Sequence, residues 1–258
     1  MSLKKLAADD IEVAAFRVKL DRAIQTLNPR RLQTRRRELH VSDFTETDDG
    51  FCARKVLVRW WKGDSREFTT KVQHDGKFRE EKWRVLFEAA GIVKAYQPEY
   101  RLGHLVGHPD FVLDWGFGDC IVDLTGSDPT MDAVFRSRHL GMKKRQVRLY
   151  VVMADARRGF VIYEDKAKVE YKMVPVERDG AAERELIGRV GAVSAEVDTL
   201  GDDPDEMDLL RAVRRMPRCS RAACRWCRVQ QDSDVLLKLE AVPDAGAAPD
   251  DRGRAGTL

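Results

Sequence analysis

The sequence predicts a mixed α/β core with helical flanks, and three observations carry that reading. Apolar residues recur at helical spacing toward both ends of the chain. Between them lies a strand-rich stretch whose centre, Cys120–Leu124, is short and almost wholly apolar, as in the buried middle of a sheet. Cys52 precedes this stretch, and Cys219, Cys224 and Cys227 follow it with the spacing C-x4-C-x2-C. One four-thiolate site there would close the two ends of a domain onto each other.

The elements follow in order. Residues 8–27 form a helix that ends at Asn28-Pro29. Residues 51–61 form a second, carrying Cys52 on its first turn. Residues 77–90 form a third, with Phe78, Trp83, Leu86, Phe87 and Ala90 on its buried side and Gly91 as its stop. Ile92–Leu102 and Leu105–Leu113 are extended runs, and Cys120–Leu124 is a strand ending beside an acid. Residues 141–154 are helical, and 159–163 with 169–174 make a hairpin. Residues 181–199, 205–215 and 232–240 are helical. The tail, 241–258, is rich in Pro, Gly, Ala and Asp and has too little to bury, so disorder is expected. The organisation is then an N-terminal helical and basic segment (1–50), a core closed by the cysteines (51–228), a short helix (229–240) and the tail.

Composition narrows the function classes. The chain has 258 residues and is 43% hydrophobic, enough for a sizeable core. The net charge is only +3, but cations cluster. Arg30, Arg31, Arg35, Arg36 and Arg37 form one run; Lys143, Lys144, Arg145 and Arg148 form another. Either run alone suits a solvated helix face; two runs around an acidic site favour a polyanionic partner. No apolar stretch approaches the roughly 20 residues of a membrane helix. The first residues, MSLKKLAADDIEVAAF, lack a signal peptide's apolar core, so a cytoplasmic protein is expected. Thiols stay reduced there, and clustered cysteines then indicate metal or catalysis rather than disulfides.

The central block holds the acids. Gly107-His108-Pro109-Asp110 leads into Phe111-Val112-Leu113, and Asp123 lies one strand later, followed by Leu124 and Thr125. Glu80 and Glu81 sit on the preceding helix. Gln146 and Tyr150, spaced Q-x3-Y, share a face of the following one. Carboxylates converging from separate elements suit Mg²⁺ or Mn²⁺, hard ions that take oxygen ligands. Such an ion activates water and neutralises charge on a phosphate. Gln146 and Tyr150 would position the attacking water or a phosphate oxygen. Singly, each feature has an ordinary reading: a turn, a strand end, a solvated helix face, a core aromatic.

In that order, E, G-x-P-D, D-x-T and Q-x3-Y resemble the RecB-like branch of the PD-(D/E)XK nuclease superfamily. One early and three late cysteines are similar to its iron–sulfur exonucleases, including CRISPR-associated RecB-like and AddB-type nucleases and phage relatives. The resemblance spans Asp43 to Cys227. It implies a restriction-endonuclease-like α/β core, a central mixed sheet flanked by helices, with helical N- and C-terminal parts joined by a four-cysteine cluster. It implies that Asp110, Asp123 and Glu80 bind Mg²⁺ or Mn²⁺, with Glu81 or His74 as alternatives to Glu80. It implies a 4Fe-4S cluster on Cys52, Cys219, Cys224 and Cys227, where zinc fits four thiolates nearly as well. Cys120, inside the apolar strand, is expected to be a core thiol. The implied partner is DNA, as ends or single strands, along with a recombination or replication protein. Trp60, Trp61 and Trp226 are candidates for stacking on unpaired bases, with buried structural tryptophans as their ordinary reading.

One position departs from the family. Its last motif is an acid, any residue and a lysine, and Thr125 stands where the lysine belongs. Either Lys143 or Lys144 supplies the charge from the next helix, or the chain has kept the fold for binding and lost the chemistry. A zinc-stabilised structural protein is the third reading.

Overall fold

The computed structural model describes residues 37–46, 50–63, 71–114, 116–127, 138–165, 170–220 and 224–228. The helices expected over 8–27 and 232–240, the tail, and Arg30, Arg31, Arg35 and Arg36 lie outside them. Two sheets and six α-helices emerge among the described residues. Strand β1 (Leu39–His40) enters a 3-10 turn, Val41–Phe44, and α1 (Ala53–Lys62) and α2 (Lys71–Ala89) follow. Next come β2 (Val93–Tyr96), β3 (Tyr100–Leu102), β4 (Leu105–Gly107), β5 (Phe111–Asp114) and β6 (Asp119–Ser127). Helix α3 (Arg138–Met153) leads to β7 (Arg158–Asp165) and β8 (Tyr171–Glu177). Helices α4 (Gly180–Leu200), α5 (Glu206–Arg215) and α6 (Arg225–Arg228) complete the chain.

The central sheet has the order β2-β5-β6-β7-β8 and is mixed: β6 and β7 are parallel, and the other neighbours are antiparallel. A parallel pair needs a long crossover, and α3 lies within the one between β6 and β7. The pair β7–β8 is the expected hairpin. A smaller sheet, β1-β4-β3, stands beside it.

Both long extended runs are broken, each at a proline. Ile92–Leu102 divides into β2 and β3, which belong to different sheets. Between them Gln97 adopts φ 45° and Pro98 withholds a ladder donor. Leu105–Leu113 divides into β4 and β5 around His108-Pro109-Asp110. The core also begins before residue 51, because Leu39, Val41 and Phe44 are buried in it.

The period-two alternation of β6 sets the two faces of the sheet. Cys120, Val122 and Leu124 face a smaller core with Trp83 and Phe87 of α2 and Phe111 and Leu113 of β5. Ile121 faces the larger core, which gathers Val147 and Val151 of α3, Leu57 of α1 and Val193 of α4. Asp123 and Thr125 share Ile121's face by the same alternation.

Helix α2 buries less than its spacing suggested. Trp83 and Phe87, one turn apart, form the seam, while Phe78 is 74% exposed and Leu86 49%. At about 100° per residue, Phe78 lies roughly 140° around the helix from Trp83, too far to reach the same sheet. The helix is held instead by a polar tether. Glu164 on β7 accepts from the Trp83 indole (2.8 Å) and from Lys82 Nζ (2.7 Å), with Arg79 at 4.0 Å.

Burial raises the Glu164 carboxyl, but Lys82 and Trp83 outweigh it and hold the group below its ordinary value. The tether is therefore present above the unfolded-state pKa and is lost as pH falls through the depressed one. We expect Glu164→Gln to lower stability by about 1–2 kcal/mol at neutral pH. That difference should shrink in acid, as read by urea denaturation across pH.

Candidate active site and thiolate centre

The acidic site forms where β5 begins, where β6 passes it, and where α2 reaches over. Asp110 is half-buried and its Oδ2 accepts the backbone N–H of Leu124 at 2.6 Å, so β6 grips the first acid beside the second. Asp123 is 3% exposed. Lys143, one crossover later on α3, places Nζ 2.7 Å from Asp123 Oδ2. Glu80 comes from α2 and is held by Gln97 Nε2 at 2.6 Å and by the Tyr96 hydroxyl.

The electrostatics show that these carboxylates feel one another. Burial pushes the Asp110 carboxyl well above its ordinary value, with Asp123 next and Glu80 adding to it; the Leu124 N–H and Lys143 work against them. Burial also raises Glu80, opposed by the Tyr96 bond and reinforced by Asp123. Burial disfavours the Lys143 ammonium, yet Asp123 more than compensates and its pKa ends above the ordinary value. Lys143 is therefore a charged group facing the acids. Glu81 instead pairs with Arg84, which also pairs with Glu88 along the outer face of α2. The side chain of His74 lies outside the described ones.

Gln146 and Tyr150 share a face as their spacing required, with Gln146 Nε2 donating to the Tyr150 hydroxyl at 3.1 Å. Tyr150 is 5% exposed, and its hydroxyl also receives a backbone bond from His108. Its ring lies so close to β4 that a Cβ on Gly107 would meet Tyr150 Cε1 at 2.7 Å and Val41 Cγ2 at 2.7 Å. Tyr150 thus braces the loop that presents Asp110. The Gly107→Ala protein should lose about 1–3 kcal/mol through this overpacking. A thermal midpoint equal to wild type would contradict that account. Thr125 is buried on β6 and contributes no charge.

Sequence reasoning missed Tyr96 and Gln97, which hold Glu80, and His139, whose Nδ1 lies 3.4 Å from the buried Tyr163 hydroxyl. The signal for Gln97 was the proline after it, which breaks the strand and turns its side chain toward α2. The tryptophans take their ordinary, structural reading. Trp60 and Trp226 are buried, and the Trp60 indole donates to the Arg37 carbonyl at 2.8 Å. Trp61 is half-buried with its indole on the Pro204 carbonyl at 3.0 Å. All three serve packing. In the second basic run, Lys143 faces the acids, whereas Arg148 lies 3.8 Å from Asp179 at the start of α4.

The four predicted cysteines do meet. Cys52 is the N-cap of α1 rather than part of its first turn. Its sulfur lies 3.8 Å from those of both Cys224 and Cys227, and Cys219 Sγ is 3.6 Å from Cys227 Sγ. All four ligand atoms fall within 4.8 Å of one another, a group that can hold a metal ion. Burial first, and the neighbouring sulfurs with it, raise the Cys52 thiol despite the Lys55 N–H in the first helical turn. Cys120 is fully buried in the smaller core and burial pushes it up to about 12, as a core thiol should be.

No family model and no curated protein matches the sequence. The chain is similar in overall course to solved exonuclease structures. An alkaline exonuclease from Laribacter hongkongensis aligns at 12% identity and TM-score 0.49, over 64% of this chain and 90% of that one. The same enzyme in complex with dAMP aligns at 12% identity and TM-score 0.45, over 64% and 89%. A phage-related exonuclease from Haemophilus somnus 129PT aligns at 12% identity and TM-score 0.49, over 63% and 94%. At these values the residues themselves must carry the functional reading. Among the described residues, no helix is long and apolar enough to cross a membrane.

Proposed function

We propose that this chain is a metal-dependent deoxyribonuclease that hydrolyses phosphodiester bonds at DNA ends or on single strands. The nuclease core, read as 51–228 from the sequence, would also take in Leu39, Val41 and Phe44 and have a restriction-endonuclease-like arrangement. The carrying observation is Asp110 held against β6 by the Leu124 N–H, with the Lys143 ammonium seated on Asp123 and Glu80 adding to the charge that Asp110 feels. The donor set fits Mg²⁺ or Mn²⁺: all oxygen, from three elements, with mutual repulsion that a cation would relieve. Bound there, the ion supplies Lewis acidity toward the phosphate and a more acidic water.

The chain's own residues do the rest. Asp110, from the loop entering β5, and Asp123, from β6, would hold the ion with Glu80 of α2. Lys143 stands where the motif lysine's charge is needed, reaching Asp123 from the helix instead of from the strand. It would orient the nucleophilic water and stabilise charge on the transferring phosphate. Thr125 then needs no charge. Motif order, from the sequence, directs the reading to DNA ends or single strands.

The test is cleavage of end-labelled single- and double-stranded DNA with Mn²⁺ or Mg²⁺. Lys143→Met should fall by about 10²–10³-fold, the scale of losing one preorganised electrostatic group. Lys144→Ala should stay within severalfold of wild type. Wild-type protein that binds DNA without cutting it, under either metal, would sink the nuclease reading in favour of a binding protein.

A further inference from the structure

We propose that Cys52, Cys219, Cys224 and Cys227 hold a single tetrahedral zinc ion, in place of the 4Fe-4S cluster that the motif resemblance implies. The sulfur spacing carries this. Tetrahedral zinc with Zn–S bonds of about 2.3 Å sets sulfur–sulfur edges of about 3.8 Å. The spacings here are 3.8, 3.8 and 3.6 Å, and no pair of sulfurs exceeds 4.8 Å. A 4Fe-4S cluster is a cube of eight atoms with a thiolate on each iron. Its body stands between the thiolates and spreads their sulfurs well beyond the edge of a one-ion tetrahedron. These four sulfurs leave room for one ion and none for a cube. They are also too far apart for disulfides, whose bond is about 2.05 Å.

The surroundings suit a thiolate centre. The Cys219 backbone N–H donates to Cys227 Sγ at 3.5 Å, and Cys52 occupies the electropositive start of α1. Arg54, two residues on, is 2% exposed; among the described residues its Nε and Nη2 meet the Met216 carbonyl (2.9 and 2.6 Å) and Nη1 has no hydrogen-bond partner. Four thiolates around Zn²⁺ carry a net negative charge. The buried Arg54 guanidinium ties α1 to the Met216 carbonyl, at the start of the segment that leads to the cysteines. With all four positions filled by protein, the ion has no open site for water or substrate and serves to join α1 to the C-terminal segment.

The experiment is metal and acid-labile sulfide analysis of the full chain, purified anaerobically from medium replete in iron and zinc, with its absorption spectrum. One zinc per chain, no labile sulfide and a colourless protein are expected. Co²⁺ exchanged into the site should show the visible bands of a tetrahedral thiolate complex. Blocking the wild-type thiols should release the zinc, a readout that does not require any variant to fold. Cys120→Ala should keep full zinc content. Four irons with labile sulfide and broad brown absorption would overturn the proposal, as would failure to bind zinc when it is supplied to the reduced protein. DNA cleavage is measured separately. A zinc-loaded chain that cuts no DNA overturns the proposed function and leaves the zinc site standing.

Discussion

Asp110→Asn should reduce DNA cleavage by at least ~10³-fold, on the order of 4 kcal/mol of barrier, while raising the thermal midpoint of the metal-free protein by a few degrees. Both effects come from one carboxylate. Burial, Asp123 and Glu80 hold its pKa well above the ordinary value, so its ionised form is costly in the folded chain when no cation is bound. The sign is that of a raised acid. Its stabilising share is complete below the unfolded-state pKa and is lost as pH rises toward the folded one. Asparagine keeps an oxygen for the Leu124 N–H but removes the charge, so the variant escapes that loss. The gain in midpoint should vanish in acid and also when Mn²⁺ stabilises the wild type. An Asn variant that cuts DNA at the wild-type rate would remove Asp110 from the site. One that is inactive but less stable than wild type at neutral pH would contradict the electrostatic account.

Cys224→Ser should cause a large loss of stability. Cys52 and Cys224 are 172 residues apart; if the exchange releases an ion that joins them, about 5 kcal/mol of chain entropy withheld from the unfolded state would be lost with it. A domain of this kind has only about 5–15 kcal/mol in total. The expected result is a thermal midpoint lowered by at least ten degrees or so, or loss of the cooperative transition. Chelation of the wild type should reproduce the shift, and chelation of the variant should add nothing. Activity should fall with the fold, since α1 packs on the same core as α3, which carries Lys143. A Cys224→Ser protein that melts like wild type would show that the cysteines meet without binding anything that matters to stability.

The parts legible in the sequence share one property: each depends on short-range pattern. The periodicity of residues 51–61, 141–154, 181–199 and 205–215 marked helices that formed within a few residues of their expected bounds. The apolar run Cys120–Leu124 marked the central strand. The two prolines at 98 and 109 could have marked where the extended runs break, but the apolar residues around them outweighed the missing donors in that reading. On α2 the apolar count misled, because Phe78 and Leu86 lie off the narrow seam that touches the sheet.

By itself, the sequence determined the α/β class, the four cysteines that meet and the absence of a lysine at Thr125, and it offered Asp110, Asp123 and Glu80 as candidates. These are matters of residue type and local spacing, which chain chemistry states directly. Only the tertiary structure seats Lys143 on Asp123, pairs Glu81 with Arg84 and leaves Glu80 held by Gln97 and Tyr96. It also brought the four cysteine sulfurs within 4.8 Å of one another, three pairs of them at 3.6–3.8 Å, which is the spacing behind the zinc proposal. The physical reason is that each choice depends on which groups face one another across α2, β6, α3 and the chain ends. Neighbouring residues on a helix point about 100° apart, so the packing of the helix, and not the order of its residues, selects the one that reaches the site.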